Sequence, residues 1–192
     1  MEVWSDAFRT SQTIFKLTGY LEKHRQQPYL LELNENMSKI FFHSKHYLFH
    51  TYALYNLTHA VKRNIRYTDS QKNSLTCKFV LAALSCPLNH SLSNFERLST
   101  QYLPRELQED AENSQKIRSE VGEVSSMLYI SGVPSRQSLI DEINFRNMQK
   151  VVGFPEVAEL FRLLEVEQSP FAISKEGIQL MDAIVEKDDD LA

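Results

Sequence analysis

Residues 41–64 read "FFHSKHYLFHTYALYNLTHAVKRN", and the spacing of these side chains decides the fold. Leu48, Tyr52, Tyr55 and Thr58 fall on one ridge at helical spacing, and Phe49, Ala53, Leu57 and Val61 fall on the next. The same stretch holds four of the six histidines, His43, His46, His50 and His59, so the competing readings are a metal site, acid–base chemistry or packing. His43, His46 and His50 are spaced i, i+3, i+7 and on one continuous helix would share a side, as zinc ligands one turn apart do. A hydrolytic site of that kind needs a glutamate between its histidines, yet no acidic residue occurs from Phe41 to Thr68. Ser44 and Lys45 also mark a helix boundary inside the group, which would scatter the three rings. The histidines are therefore expected to pack and to face solvent, with no metal, no cofactor and no catalysis. A metal-dependent hydrolase using the His43–His46–His50 face stands as the rival from a different class.

The same period extends outward. In "EVWSDAFRTSQTIFKLT", Trp4, Phe8, Ser11, Phe15 and Thr18 form a stripe, with Ala7 and Ile14 beside it, and Gly19 is a stop. "PYLLELNENMSKIFFHS" is expected to begin at Pro28 and to repeat Leu30, Leu33, Met37, Ile40 and Phe41 on one face. "TDSQKNSLTCKFVLAALS" opens with a cap at Thr68 or Asp69 and ends before Pro87. The middle is more polar: "NFERLSTQYLP" is a short amphipathic piece and "ELQEDAENSQKIRSEV" a solvated helix or connector. Val121, Val124, Leu128 and Ile130 restore an apolar face before Gly132. Three more helices follow in "PSRQSLIDEINFRNMQ", "FPEVAELFRLLEVE" (Pro155 in its first turn) and "SKEGIQLMDAIVEK". Beta alternation of useful length is missing, and only 5 glycines and 6 prolines punctuate the 192 residues, so long helices are favoured. The expected fold is all-α, a solenoid of antiparallel helix pairs. Its predicted core is Leu48, Tyr52, Leu57, Phe79, Leu84, Leu160 and Leu164.

Charge and composition narrow the functions. A net charge of −4 argues against a wholly basic nucleic-acid-binding domain, though not against a local basic face. Cys77 and Cys86 lack ligand-like neighbours and read as buried thiols of a reducing compartment. With no apolar run near the eighteen or so residues of a membrane span and no secretory signal in "MEVWSDAF", a cytoplasmic, soluble protein is expected. G-x-S-x-G elbows and glycine-rich phosphate loops do not occur, and the carboxylates of "ELQEDAE" and "EKDDD" are solvated runs. One cluster stands out: Lys62, Arg63 and Arg66 at a helix end, followed by Tyr67. It is either a favourable placement of cations at a helix C-terminus or a contact for RNA or an acidic partner.

"YLFHTYALYNL", then "FVLAALSCPL", "SLIDEI" and "FPEVAELFRLLEVEQSPF", taken in order, resemble the family formed by the largest subunit of eukaryotic translation initiation factor three. The likeness begins at "MEVWSDAF", reaches about Phe171 and is weakest between Leu88 and Ser119. Its most specific run is Pro155, Glu156, Val157, Leu160, Phe161, Leu164, Glu165, Val166, Glu167 and Pro170, and the helices around Leu48–His50 and Val80–Ser85 come next. The resemblance implies a non-catalytic, right-handed scaffold of the PCI class with TPR-like helix pairs. It also implies partners: the other subunits of the factor, subunit c first, the small ribosomal subunit, and mRNA or rRNA.

Organisation follows as residues 1–88 for the TPR-like pairs, 89–120 for a polar connector, 121–187 for the helical part of the PCI region and 188–192 for an acidic tail. In that family a winged helix is expected after "LFRLLEVE". Here "SKEGIQLMDAIVEKDDDLA" follows instead, so the winged helix is expected to be missing and the isolated helices to be monomeric. A PCI subunit of the proteasome lid or of the COP9 signalosome is the alternative within the same fold class.

Overall fold

The computed structural model describes residues 2–18, 23–62, 64, 66–86, 122, 124–130, 135–146, 154–167 and 173–187. The main α-helices among the described residues are α1 (Glu2–Thr18), α2 (Lys23–His43), α3 (Tyr47–Lys62), α4 (Asp69–Ser85), α5 (Arg136–Arg146), α6 (Pro155–Phe161) and α7 (Ile178–Lys187). A π-helical turn, Arg162–Glu167, continues α6, and a second, Ile173–Gly177, leads into α7. No described residue is in a strand. The pieces read as "NFERLSTQYLP" and "ELQEDAENSQKIRSEV", the connector 89–120 and the tail 188–192 lie outside the described residues.

Packing follows chain order, with α1 against α2, α2 against α3 and α3 against α4, as short connections dictate. α3 is the centre of this stack. Leu48, Phe49, Thr51, Tyr52, Ala53, Leu54, Leu57, Thr58 and Val61 are all buried, more than one face of a helix supplies, because α2 and α4 cover it from two sides. Its two buried threonine hydroxyls find partners within the helix, Thr51 donating to the Tyr47 carbonyl at 2.8 Å and Thr58 to that of Leu54 at 2.7 Å. Phe41 meets Phe49 and Tyr55 meets Phe79, each pair with ring centroids 5.5 Å apart.

Local chemistry sets the helix ends. α2 stops in a turn closed by hydrogen bonds from the Lys45 N–H to the Phe42 carbonyl and from the His46 N–H to that of Phe41. Lys45 takes the left-handed position of this Schellman motif at φ 62°, a conformation usually given to glycine. α4 begins in a capping box: the Thr68 hydroxyl accepts from the Gln71 N–H, and the Gln71 side chain accepts from the Thr68 N–H. At the other end of α2 the expectation fails. The helix begins at Lys23, with Pro28 inside it. A proline this near the start removes one early hydrogen bond and leaves the later turns intact, so it does not set the boundary.

The second half docks on the first through α4, which packs against both α5 and α6. Leu139, Ile140 and Ile143 of α5, Val157, Leu160 and Phe161 of α6, and Ile184 of α7 join the same core as Leu48, Phe49, Tyr52, Phe79 and Val80. Val124, Met127 and Leu128 also enter it, and Tyr129 ends their turn at φ 54°. Polar contacts fix the joint. Asn56 donates to the Leu128 carbonyl at 2.6 Å, and the Tyr52 hydroxyl lies 3.3 Å from both the N–H and the carbonyl of Ser135. Immediately after Ser135, Arg136 forms a forked ion pair with Glu165 of the π-helical turn, with side chains only 6% and 10% exposed.

Of the residues read as core, Leu48, Tyr52, Phe79 and Leu160 are buried in this cluster. Leu57 is buried in a smaller one with Leu31 and Val61. Leu84 and Leu164 depart from the expectation, being half-buried at the edge of the main core. They lie where α4 and the turn after α6 diverge and leave a groove between them.

Phe79→Ala is expected to cost about 3–5 kcal/mol, and Leu84→Ala roughly 1–2 kcal/mol, in denaturant titration. Equal costs would place both side chains in the same environment. Arg136→Met or Glu165→Leu alone should cost about 3–5 kcal/mol by stranding a buried charge, whereas the double replacement should cost far less. Additive losses in the double-mutant cycle would show that the two residues do not act as a pair.

Candidate interaction surface

The boundary at residues 44–46 separates the histidines. His43 ends α2, His46 lies in the turn, and His50 is one turn into α3. His50 Nδ1 lies 2.9 Å from the Ser38 carbonyl and 3.1 Å from its hydroxyl, while the Phe42 ring covers the imidazole at 5.2 Å. With Nδ1–H donating to the carbonyl, the ring ties α3 to α2 as a neutral group. His59 stacks edge-on against Tyr55 at 4.5 Å. Among the described residues no three His, Cys, Asp or Glu side chains converge as a metal site would require. Cys77 and Cys86 are buried free thiols, and burial raises the Cys86 pKa, keeping it protonated and a poor nucleophile.

The basic cluster is laid out by the turn after α3. Lys62, the last residue of the helix, is half-buried; the Asn64 side chain accepts the Arg66 N–H at 3.0 Å, and Arg66 is exposed. Arg63 lies outside the described residues.

A larger surface was not legible in the sequence. An open groove of about 1410 Å³ runs between α2, α3 and α4 on one side and α6, its π-helical turn and α7 on the other. Leu81, Leu84, Leu160 and Leu164 line it, and strongly exposed apolar side chains edge it: Phe42 at 53%, Ile178 at 63% and Met181 at 45%. Lys78 of α4 is half-buried in the lining. Local periodicity marks these residues as apolar helix positions. Which of them stay uncovered depends on how far α4 and α7 diverge.

Helices packed in chain order, with an open groove left between the two ends of the stack, define a helical-repeat protein of the α-solenoid class. The family model described as "eIF3a, PCI domain, TPR-like region" matches residues 1–172, so the chain belongs to that family. Curated relatives, each named as the A subunit of eukaryotic translation initiation factor 3, agree across the chain. The Mycosarcoma maydis protein is 29% identical over 90% of this chain, that of Danio rerio 28% over 100%, and that of Homo sapiens 26% over 97%. The chain spans only 16%, 14% and 13% of the length of these three relatives.

Burial lowers the His50 pKa, an effect opposed in part by the hydrogen bond to Ser38. The folded state therefore holds this proton less readily than the unfolded chain. The stability associated with neutral His50 is full above the usual value of about 6.5 and is lost as pH falls through the lowered folded value. Thermal midpoints should accordingly fall more steeply from about pH 7 to about pH 5 in the wild type than in His50→Gln. Parallel slopes would show that the ring titrates as if in water.

Proposed function

We propose that the chain is a non-catalytic helical scaffold of a multi-subunit translation initiation factor, acting in the cytoplasm on the small ribosomal subunit. The observation that carries this reading is the family match over residues 1–172 of a chain whose helices pack in sequence around α3. The histidine arrangement supports it too, because the ring best placed for chemistry, His50, is spent on holding two helices together. No described helix is long and apolar enough to cross a membrane. The first partner is subunit c, followed by the other subunits and the small ribosomal subunit, with Lys62, Arg63 and Arg66 as a contact for mRNA, rRNA or an acidic partner protein.

Tagged chain expressed in eukaryotic cells should sediment with small ribosomal subunits and co-purify with subunit c. Migration with proteasome-lid or signalosome subunits would refute the assignment. If the basic cluster touches phosphate, Lys62→Ala and Arg66→Ala should each lower the slope of log affinity against log salt by about 1. Unchanged slopes would leave those residues as cations favourably placed at a helix end.

A further inference from the structure

α7 carries two apolar stripes, although it has only one core to fill. Ile184 is buried against the core, while Ile178, Met181 and Val185, spaced i, i+3, i+7, are 63%, 45% and 39% exposed. That spacing is the ridge one helix offers to another. Ile178 and Met181 look into the groove. From the facing side α4 contributes Ser70, Ser74, Lys78, Leu81 and Ser85, positions three or four apart that trace one continuous face. From Ser70 to Ser85 that face is about 22 Å long, the length of a four-turn helix.

The charges in the groove are unevenly matched. Lys39 and Glu35 pair with each other at 2.8 Å, and Asp182 sits exposed on α7. Lys78, midway along the α4 face, is half-buried among apolar neighbours and has no ion-pair or hydrogen-bond partner among the described residues. A partly desolvated ammonium with no counter-ion among the described residues is the complement of a carboxylate brought by an occupant.

We propose that this groove seats one amphipathic helix of a partner protein, its apolar stripe on Ile178, Met181, Leu81 and Leu84 and an acidic side chain opposite Lys78. The helix lies along α4 for about four turns, as the length of the lined face requires. The groove reaches Val61 and Tyr67 beside the basic turn but is lined by neither Lys62 nor Arg66, and the proposal does not depend on the assignment to translation initiation.

The test uses the full chain and a displayed library of sixteen-residue amphipathic helices with fixed leucines on one face and all other positions randomised. Selected helices should share an acidic residue at one position, bind Lys78→Glu at least tenfold more weakly than wild type, and regain affinity for that variant when the acid becomes lysine. Ile178→Ser, at an exposed position that leaves the core intact, should weaken the same helices at least tenfold. Unchanged thermal midpoints would show that both variants fold. Binding should also shift the Met181 methyl resonance. Failure of the library to enrich, selected helices indifferent to Lys78→Glu, or a groove closed by a second copy of this chain in light scattering would each overturn the proposal. Sedimentation with ribosomal subunits reads the scaffold assignment independently, so either result can fail without the other.

Discussion

The burial of α3 on two sides is the constraint from which the rest of the structure follows. A helix that hides Leu48 and Phe49 as well as Leu54, Leu57 and Val61 needs a neighbour on each flank. The short links at residues 44–46 and 63–68 allow only α2 and α4 to take those places. Both neighbours then have faces left to cover, α2 with α1 and α4 with α5 and α6. Stacking thus propagates outward from one sequence segment, each helix completing the burial of the one before it.

Polar groups decide how the two halves meet. Apolar surfaces alone tolerate sliding and rotation, because burial is non-directional. The Tyr52 hydroxyl on the Ser135 backbone and the Asn56 amide on the Leu128 carbonyl admit one placement of the segment that enters α5. The Arg136–Glu165 fork does the same for the turn that follows α6, at the cost of desolvating two charges. Glu165 belongs to a π-helical turn, whose wider winding shifts the register of the side chains after Phe161. The run from Pro155 to Glu167 combines the buried Val157, Leu160 and Phe161 with the paired Glu165.

An α-solenoid presents extended surface, and here the open groove between α4 and α7 is part of it. Its most reactive side-chain types are turned to structural work: His50 bridges α2 and α3, and the Cys86 thiol sits 3.4 Å from the Thr51 hydroxyl. Among the described residues, apolar side chains such as Ile178 and Met181 stay exposed along the groove. Such features suit the recognition proposed above.

Sequence alone was enough for the all-α class, for α3 and its two ridges, for a cap at Thr68 or Asp69, which the structure gives to Thr68, and for the break near Ser44 and Lys45 that separates the histidines. These are local properties, set by periodicity and by hydrogen bonds a few residues apart. Pro28 misled because proline stops a helix only where its missing N–H falls deep inside it. Leu84 and Leu164 misled because an apolar position on a helix is buried only if another element covers it. The Arg136–Glu165 pair spans 29 residues, and the groove is bounded by α4 and α7, whose first residues are more than a hundred positions apart. No local pattern encodes either of them. Only the tertiary structure decided which apolar faces were covered, because coverage depends on where distant helices come to rest.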